Sequence, residues 1–169
     1  MYYRAISQLT QNLKAVEICL DKAEEFAAQK KLDIDVLLSG RLAPDMQPFI
    51  YQVQSASDYV KGGAAWLSGQ KPPNYEDNER TVADLRARIR KTIAFVESIK
   101  EAQYGNAGAE KVTMSWAPAN KVLTGEDYLL QMVVPNAYFH ISMAYAILRH
   151  HGVSVGKMDF LGPINWVDA

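Results

Sequence analysis

Ile6, Leu9, Leu13, Val16, Leu20, Ala23 and Ala27 follow one another at alternating spacings of three and four residues. Only a helix brings such positions onto one stripe. Lys14, Glu17, Asp21, Lys22 and Glu25 fill its other face. A long one-sided helix of this kind demands other helices to cover it. Cys19, three residues after Val16, sits at the flank of the stripe and reads as a small buried hydrophobe. The local sequence offers no basic partner that would activate its thiol.

The same period returns three times. A second helix carries Ile50, Val53, Ser57, Val60, Ala64 and Leu67, with Asp45 expected as N-cap and Pro48 in the first turn. "KGGAA" supplies small residues where a neighbour could come close. A third helix opens on Thr81 and Asp84, a capping-box spacing. It buries Val82, Leu85, Ile89, Thr92, Ile93, Val96 and Ile99 and stops before "YGNAG". A fourth opens on Thr124 and Asp127 and runs to His151, with Gly152 closing it. Pro135 lies mid-helix and should kink it by displacing the Gln131 carbonyl. A short helical turn is expected at Asp35 to Ser39.

Between helices three and four the period changes. Val112, Met114 and Trp116 alternate with Thr113 and Ser115, and "APAN" then leads into "KVL". This predicts a small β-hairpin anchored by Trp116. The tail residues Phe160, Leu161, Ile164 and Trp166 should dock on the helices. The chain therefore reads as all-α: a four-helix bundle with a small β-hairpin between helices three and four, as one domain over residues 1–169.

Composition excludes several functions. Net charge is −1 across 169 residues, with 22% charged residues interleaved in sign, so no nucleic-acid footprint is present. The one dense basic stretch, "RARIRK" at Arg86 to Lys91, reads as a solvated helix face. No run approaches a membrane span, and the start lacks the h-region of a secretory leader. One cysteine permits no intrachain disulfide. A cytoplasmic protein is expected, binding neither nucleic acid nor membrane. Phosphate loops, paired-cysteine motifs and nucleophile elbows are lacking.

All three histidines fall within "VVPNAYFHISMAYAILRHHG". His150 and His151 are adjacent and lie in the last turn of the fourth helix, where they suit the helix dipole. His140 lies on the seam Leu130, Val133, Ala137, His140, Ala144, Ile147. Its helical neighbours Asn136, Met143 and Ala144 are poor ligands for a divalent ion. Three readings stand for it: a satisfied core histidine, a ligand-pocket residue and a metal ligand. Gln54, Ser57 and Asp58 on the second helix are its available polar partners. His140, Asn136, Gln54 and Asp58 form the candidate ligand-binding set.

"PNAYFHISMAYAILRHHGVSVGKMDFLG", with "TGEDYLL" before it and "FIYQVQSASDYVKGGAAWLSG" earlier, resembles a bacterial family known only as a domain of unknown function. That family is placed in the DinB/YfiT-like superfamily of four-helix bundles. The resemblance implies a divalent metal on three histidines, one from the second helix and two as HxxxH on the fourth. It also implies thiol-dependent transferase or hydrolase activity for several members. Only His140 matches here. Position 144 is alanine, and Gln52 or Gln54 stands where the second helix would offer its histidine. A metal-free protein without a cofactor is therefore expected, binding a small molecule or partner near His140. A metal-dependent enzyme completed by carboxylates such as Asp58, and a purely structural protein, are the alternatives. The resemblance and the excess of apolar helix surface imply a homodimer.

Overall fold

The computed structural model describes residues 1–168. The first stripe forms α1 (Tyr2–Lys30), and all seven of its apolar positions are buried. Leu13 and Leu20 have no solvent exposure, and each such burial stabilises by about 2–3 kcal/mol. Lys31, in the left-handed conformation, ends the helix and donates to the Ala27 and Ala28 carbonyls. The expected turn is α2 (Asp35–Leu38).

The second helix is α3 (Phe49–Leu67), with Pro48 as its N-cap. Asp45 does not cap it. The residue before a proline is driven out of helical geometry, so the helix cannot extend back through Gln47. The third helix is α4 (Val82–Ser98). Thr81 Oγ1 accepts from the Asp84 amide (3.1 Å), and the Asp84 carboxylate accepts from the Thr81 amide (2.9 Å). It ends at Ser98, short of "YGNAG", because Ile99 turns extended and is buried. Two 3₁₀ turns, Glu101–Tyr104 and Ala107–Ala109, follow.

The hairpin is reduced to β1 (Lys111–Val112) paired antiparallel with β2 (Leu123–Thr124). Its anchor is Val112, fully buried, whereas Trp116 is 65% exposed. Pairing stops before Trp116, so that side chain belongs to the turn and has no neighbouring strand to hold it.

Thr124 caps α5 (Gly125–Asp127) through the Asp127 amide. A π-helical turn, Tyr128–Val133, leads directly into α6 (Val134–His150). In place of the kink expected at Pro135, the chain carries this π turn just before the proline. A π turn holds one extra residue, which accommodates the donor that Pro135 lacks. It also rotates the buried face. Leu130, placed on the seam by simple periodicity, is 56% exposed, and Tyr128 and Leu129 go inward instead.

After Gly152, Val153 and Val155 are buried and lead into α7 (Lys157–Leu161). Phe160 docks there against Tyr145. Ile164 and Trp166 do not dock: they lie beyond the Gly162 turn and are exposed. α3 packs between α4 and α6, and α1 closes the opposite side against both. The result is an all-α four-helix bundle with a minimal hairpin. Two glycines set close approaches within it. A Cβ at Gly63 would lie 2.6 Å from Val133, and one at Gly125 would lie 1.7 Å from the Ala107 carbonyl oxygen. Among the described residues, no helix is long and apolar enough to cross a membrane.

Candidate functional site

Two residues apart on a helix means about 200° of rotation, so Gln52 and Gln54 cannot face the same neighbour. Gln52 faces α6. Its Nε2 donates to the Gln47 carbonyl (2.9 Å), which turns its Oε1 toward His140, 2.8 Å from Nδ1. An amide oxygen only accepts, so His140 carries its proton on Nδ1. Nε2 is left with a lone pair. The sealed side-chain polar atoms without a partner among the described residues are Arg88 Nε and Thr92 Oγ1. His140 Nε2 therefore reaches solvent.

Aromatic rings surround the imidazole. Tyr59, seven residues after Gln52 and so on the same face of α3, stacks on it at 5.7 Å with planes 16° apart. Tyr51 and Phe139 meet it edge-on at 6.1 and 5.2 Å. Both are half-exposed, while His140 itself is 9% exposed. Burial lowers the His140 pKa below its usual 6.5, keeping the ring neutral and Nε2 an acceptor.

Gln54 faces the other way, toward α4, and Asp58 one turn later shares that direction. The two do not join His140. Gln54 Nε2 donates to Glu79 Oε2 (2.8 Å). Asp58 pairs with Lys61 (2.7 Å) and Arg88 (2.9 Å). Arg88 also pairs with Asp77 (2.9 Å) and Glu79 (3.0 Å), so one guanidinium holds three carboxylates. It is only 3% exposed, which overturns, at Arg88, the reading of "RARIRK" as a solvated helix face. Arg86 and Arg90 from the same stretch reach across to α1, pairing with Asp21, Glu24 and Glu17.

Burial alone would raise the Glu79 carboxyl. Hydrogen bonds from Gln54 and Arg88, with the charge of Arg88, outweigh that and hold it below the usual range. Above this cluster, Tyr75 offers its ring to Lys61 and Lys91, each ammonium 3.9 Å from the centroid. The loop between α3 and α4 is thereby tied down at Tyr75, Asp77 and Glu79.

Asn136, the remaining candidate, donates to the Met132 carbonyl (2.7 Å), within the π turn. It braces the helix near Pro135. His151 lies at the helix end, its Nδ1 2.8 Å from the Ile147 carbonyl.

Sequence reasoning missed Arg88 and Lys61, yet a signal was present. Arg88 lies three residues after Leu85 and four before Thr92, on the buried face of α4. Lys61 lies four after Ser57 and three before Ala64, on the buried face of α3.

A three-histidine metal site does not fit these residues. The α3 position nearest His140 is Gln52, whose oxygen is already spent on Nδ1. Position 144, one turn after His140, is alanine. Asp58, the carboxylate that could have completed an atypical site, is neutralised by Lys61 and Arg88. No group of three or more histidine, cysteine, aspartate or glutamate side chains among the described residues could hold an ion.

Beside Tyr59 a cleft of about 530 Å³ opens between α3, the π turn and the loop after α3. Tyr59 forms one wall, so the cleft adjoins the His140 cluster through that ring. Its size falls within the range of small-molecule sites, about 300–1,000 Å³.

Residues 1–161 match the family described as "Domain of unknown function (DUF1993)". No curated protein matches the chain. Among solved structures, a crystal structure of a DinB family member protein from Shewanella denitrificans superposes with a TM-score of 0.94. It shares 42% sequence identity, over 99% of this chain and 95% of that one.

Proposed function

The chain belongs to the DUF1993 family and has a DinB-like fold, and on that premise we propose that it binds a small molecule, without a metal, in the cleft beside His140. The observation that carries this reading is the His140–Gln52 hydrogen bond. It occupies Nδ1, fixes the tautomer and leaves a solvent-facing acceptor at Nε2 within a ring of aromatic side chains. That combination suits a ligand with a flat body and a polar hydrogen directed at the imidazole.

Metal-dependent transfer or hydrolysis has no support in the donor set. Gln52 and Ala144 replace two histidines, and Asp58 is engaged elsewhere. Tyr59 is the proposed contact within the cleft and His140 Nε2 the proposed contact at its edge, beyond the Tyr59 ring, with Gln52 positioning the imidazole. Asp58 lines the cleft with its charge offset by Lys61 and Arg88, Gln54 braces Glu79, and Asn136 supports α6. The proposal includes a homodimer, on the strength of the superfamily resemblance; light scattering across a concentration series tests it.

The binding proposal is tested by a thermal-shift screen over broad metabolite classes. A compound that raises the melting temperature of the wild-type chain, and much less that of His140→Ala and Tyr59→Ala, supports it. A screen with no stabilising compound overturns it in favour of an interaction protein without a pocket.

A further inference from the structure

We infer that the cleft beside Tyr59 takes a planar organic anion, its carboxylate or equivalent group held by the Tyr128 and Tyr59 hydroxyls and Lys71. This rests on the binding proposal above and names the class of ligand.

The cleft's polar groups are mostly donors. Tyr128 is only 6% exposed, yet it lines the cleft, and its hydroxyl has no hydrogen-bond partner among the described residues. Nor is that oxygen sealed off, so it opens into the cleft. A Cβ at Gly62 would stand 3.2 Å from it, which places it over the α3 backbone at the cleft floor. The Tyr59 hydroxyl also lacks a partner among the described residues. Burial holds both phenols protonated, Tyr128 up to about 12, and each keeps a hydrogen to donate at neutral pH.

Charge points the same way. Lys61 and Lys71 face the cleft against one carboxylate, Asp58. Asp58 Oδ1 is bound by both Lys61 and Arg88, so its charge is offset. Lys71 is exposed and has no ion-pair partner among the described residues. Trp66, Tyr59 and Pro72 supply flat apolar walls for a ring. A cation would meet ammonium groups and hydroxyl donors, and an alkyl chain would leave the buried Tyr128 phenol unpaired.

Isothermal titration of the full chain with indole-3-acetate, indole-3-ethanol and tryptamine tests this, since the three share a ring and differ in charge. Indole-3-acetate should bind at least about tenfold more tightly than indole-3-ethanol, with tryptamine weakest. Lys71→Gln, at an exposed position, and Tyr128→Phe, which keeps the buried ring, should each weaken the acetate about tenfold and leave the ethanol unchanged. Equal or tighter binding of the neutral or cationic compound overturns the anion assignment and leaves the cleft as a binding site. So does acetate binding that neither variant affects. If none of the three binds while the metabolite screen finds a Tyr59-dependent ligand, the anion assignment alone falls. If the screen also finds nothing, the binding proposal falls with it.

Discussion

His140 Nδ1 donates to Gln52 Oε1 across the α3–α6 interface at 2.8 Å, and both side chains are buried. Gln52→Leu would keep the volume and strand the imidazole proton. An unpaired buried donor costs about 1–3 kcal/mol, so Gln52→Leu should lower the urea-derived stability by that amount. A loss below about 0.5 kcal/mol would mean that the ring is free to turn to another partner.

The same histidine sets a pH dependence. Its folded pKa lies below 6.5, so as pH falls the unfolded chain takes up the proton first. Stability should therefore decline as pH drops through 6.5 and flatten below the folded pKa. Glu79 acts in the same direction at lower pH, because its depressed pKa gives stability that is lost below its usual 4.5. Urea titrations from pH 7.5 to 5 should show the first decline in the wild type and a flatter profile in His140→Gln.

Arg88 binds Asp58, Asp77 and Glu79 while almost wholly buried. Removing it alone leaves Asp77 and the buried Glu79 without a cation and Asp58 with Lys61 only. Arg88→Leu should cost about 3–5 kcal/mol. Lys14→Ala, which breaks the exposed pair with Glu97, should cost under about 1 kcal/mol. Chemical denaturation of both variants separates the two regimes; similar losses would place Arg88 outside the stabilising core.

Much of this architecture is legible in the spacing of apolar residues. α1 declares itself because its stripe is long and uninterrupted, and the Thr81–Asp84 box announces α4 because both of its hydrogen bonds are local. The π turn is less legible. Pro135 signals a defect, but whether the chain answers with a kink or an extra residue depends on what packs there, and the choice moves Leu130 out and Leu129 in. Arg88 is hidden for another reason. Its partners Asp58 and Asp77 lie on a different helix and a loop, so a run of basic residues looks solvated until those elements meet. At the candidate site, the importance of His140 can be read from sequence. Its partner could not be read without the phase of α3, which decides between Gln52 and Gln54.

Gly125 lies against the Ala107 carbonyl so closely that a Cβ would come to 1.7 Å from the oxygen. Backbone must move to admit any side chain there. Gly125→Ala should destabilise by at least about 2 kcal/mol, measured by thermal or urea unfolding. A neutral effect would show that the junction between the 3₁₀ turns and α5 shifts freely.

Cys19 is 5% exposed, and burial, reinforced by the charge of Asp159, pushes its thiol up to about 11. It should react with a thiol reagent only as the chain opens, so labelling at pH 8 should be slow and should accelerate with urea. Rapid labelling of the folded protein would place the thiol at a mobile surface.

The central claim is that His140 serves ligand binding without a metal. Elemental analysis by plasma mass spectrometry, on protein purified without chelators from medium supplemented with zinc, nickel and manganese, tests it most directly. The expected result is far less than one divalent ion per chain, with the same trace in His140→Ala. One tightly held ion per chain that disappears in His140→Ala would contradict it.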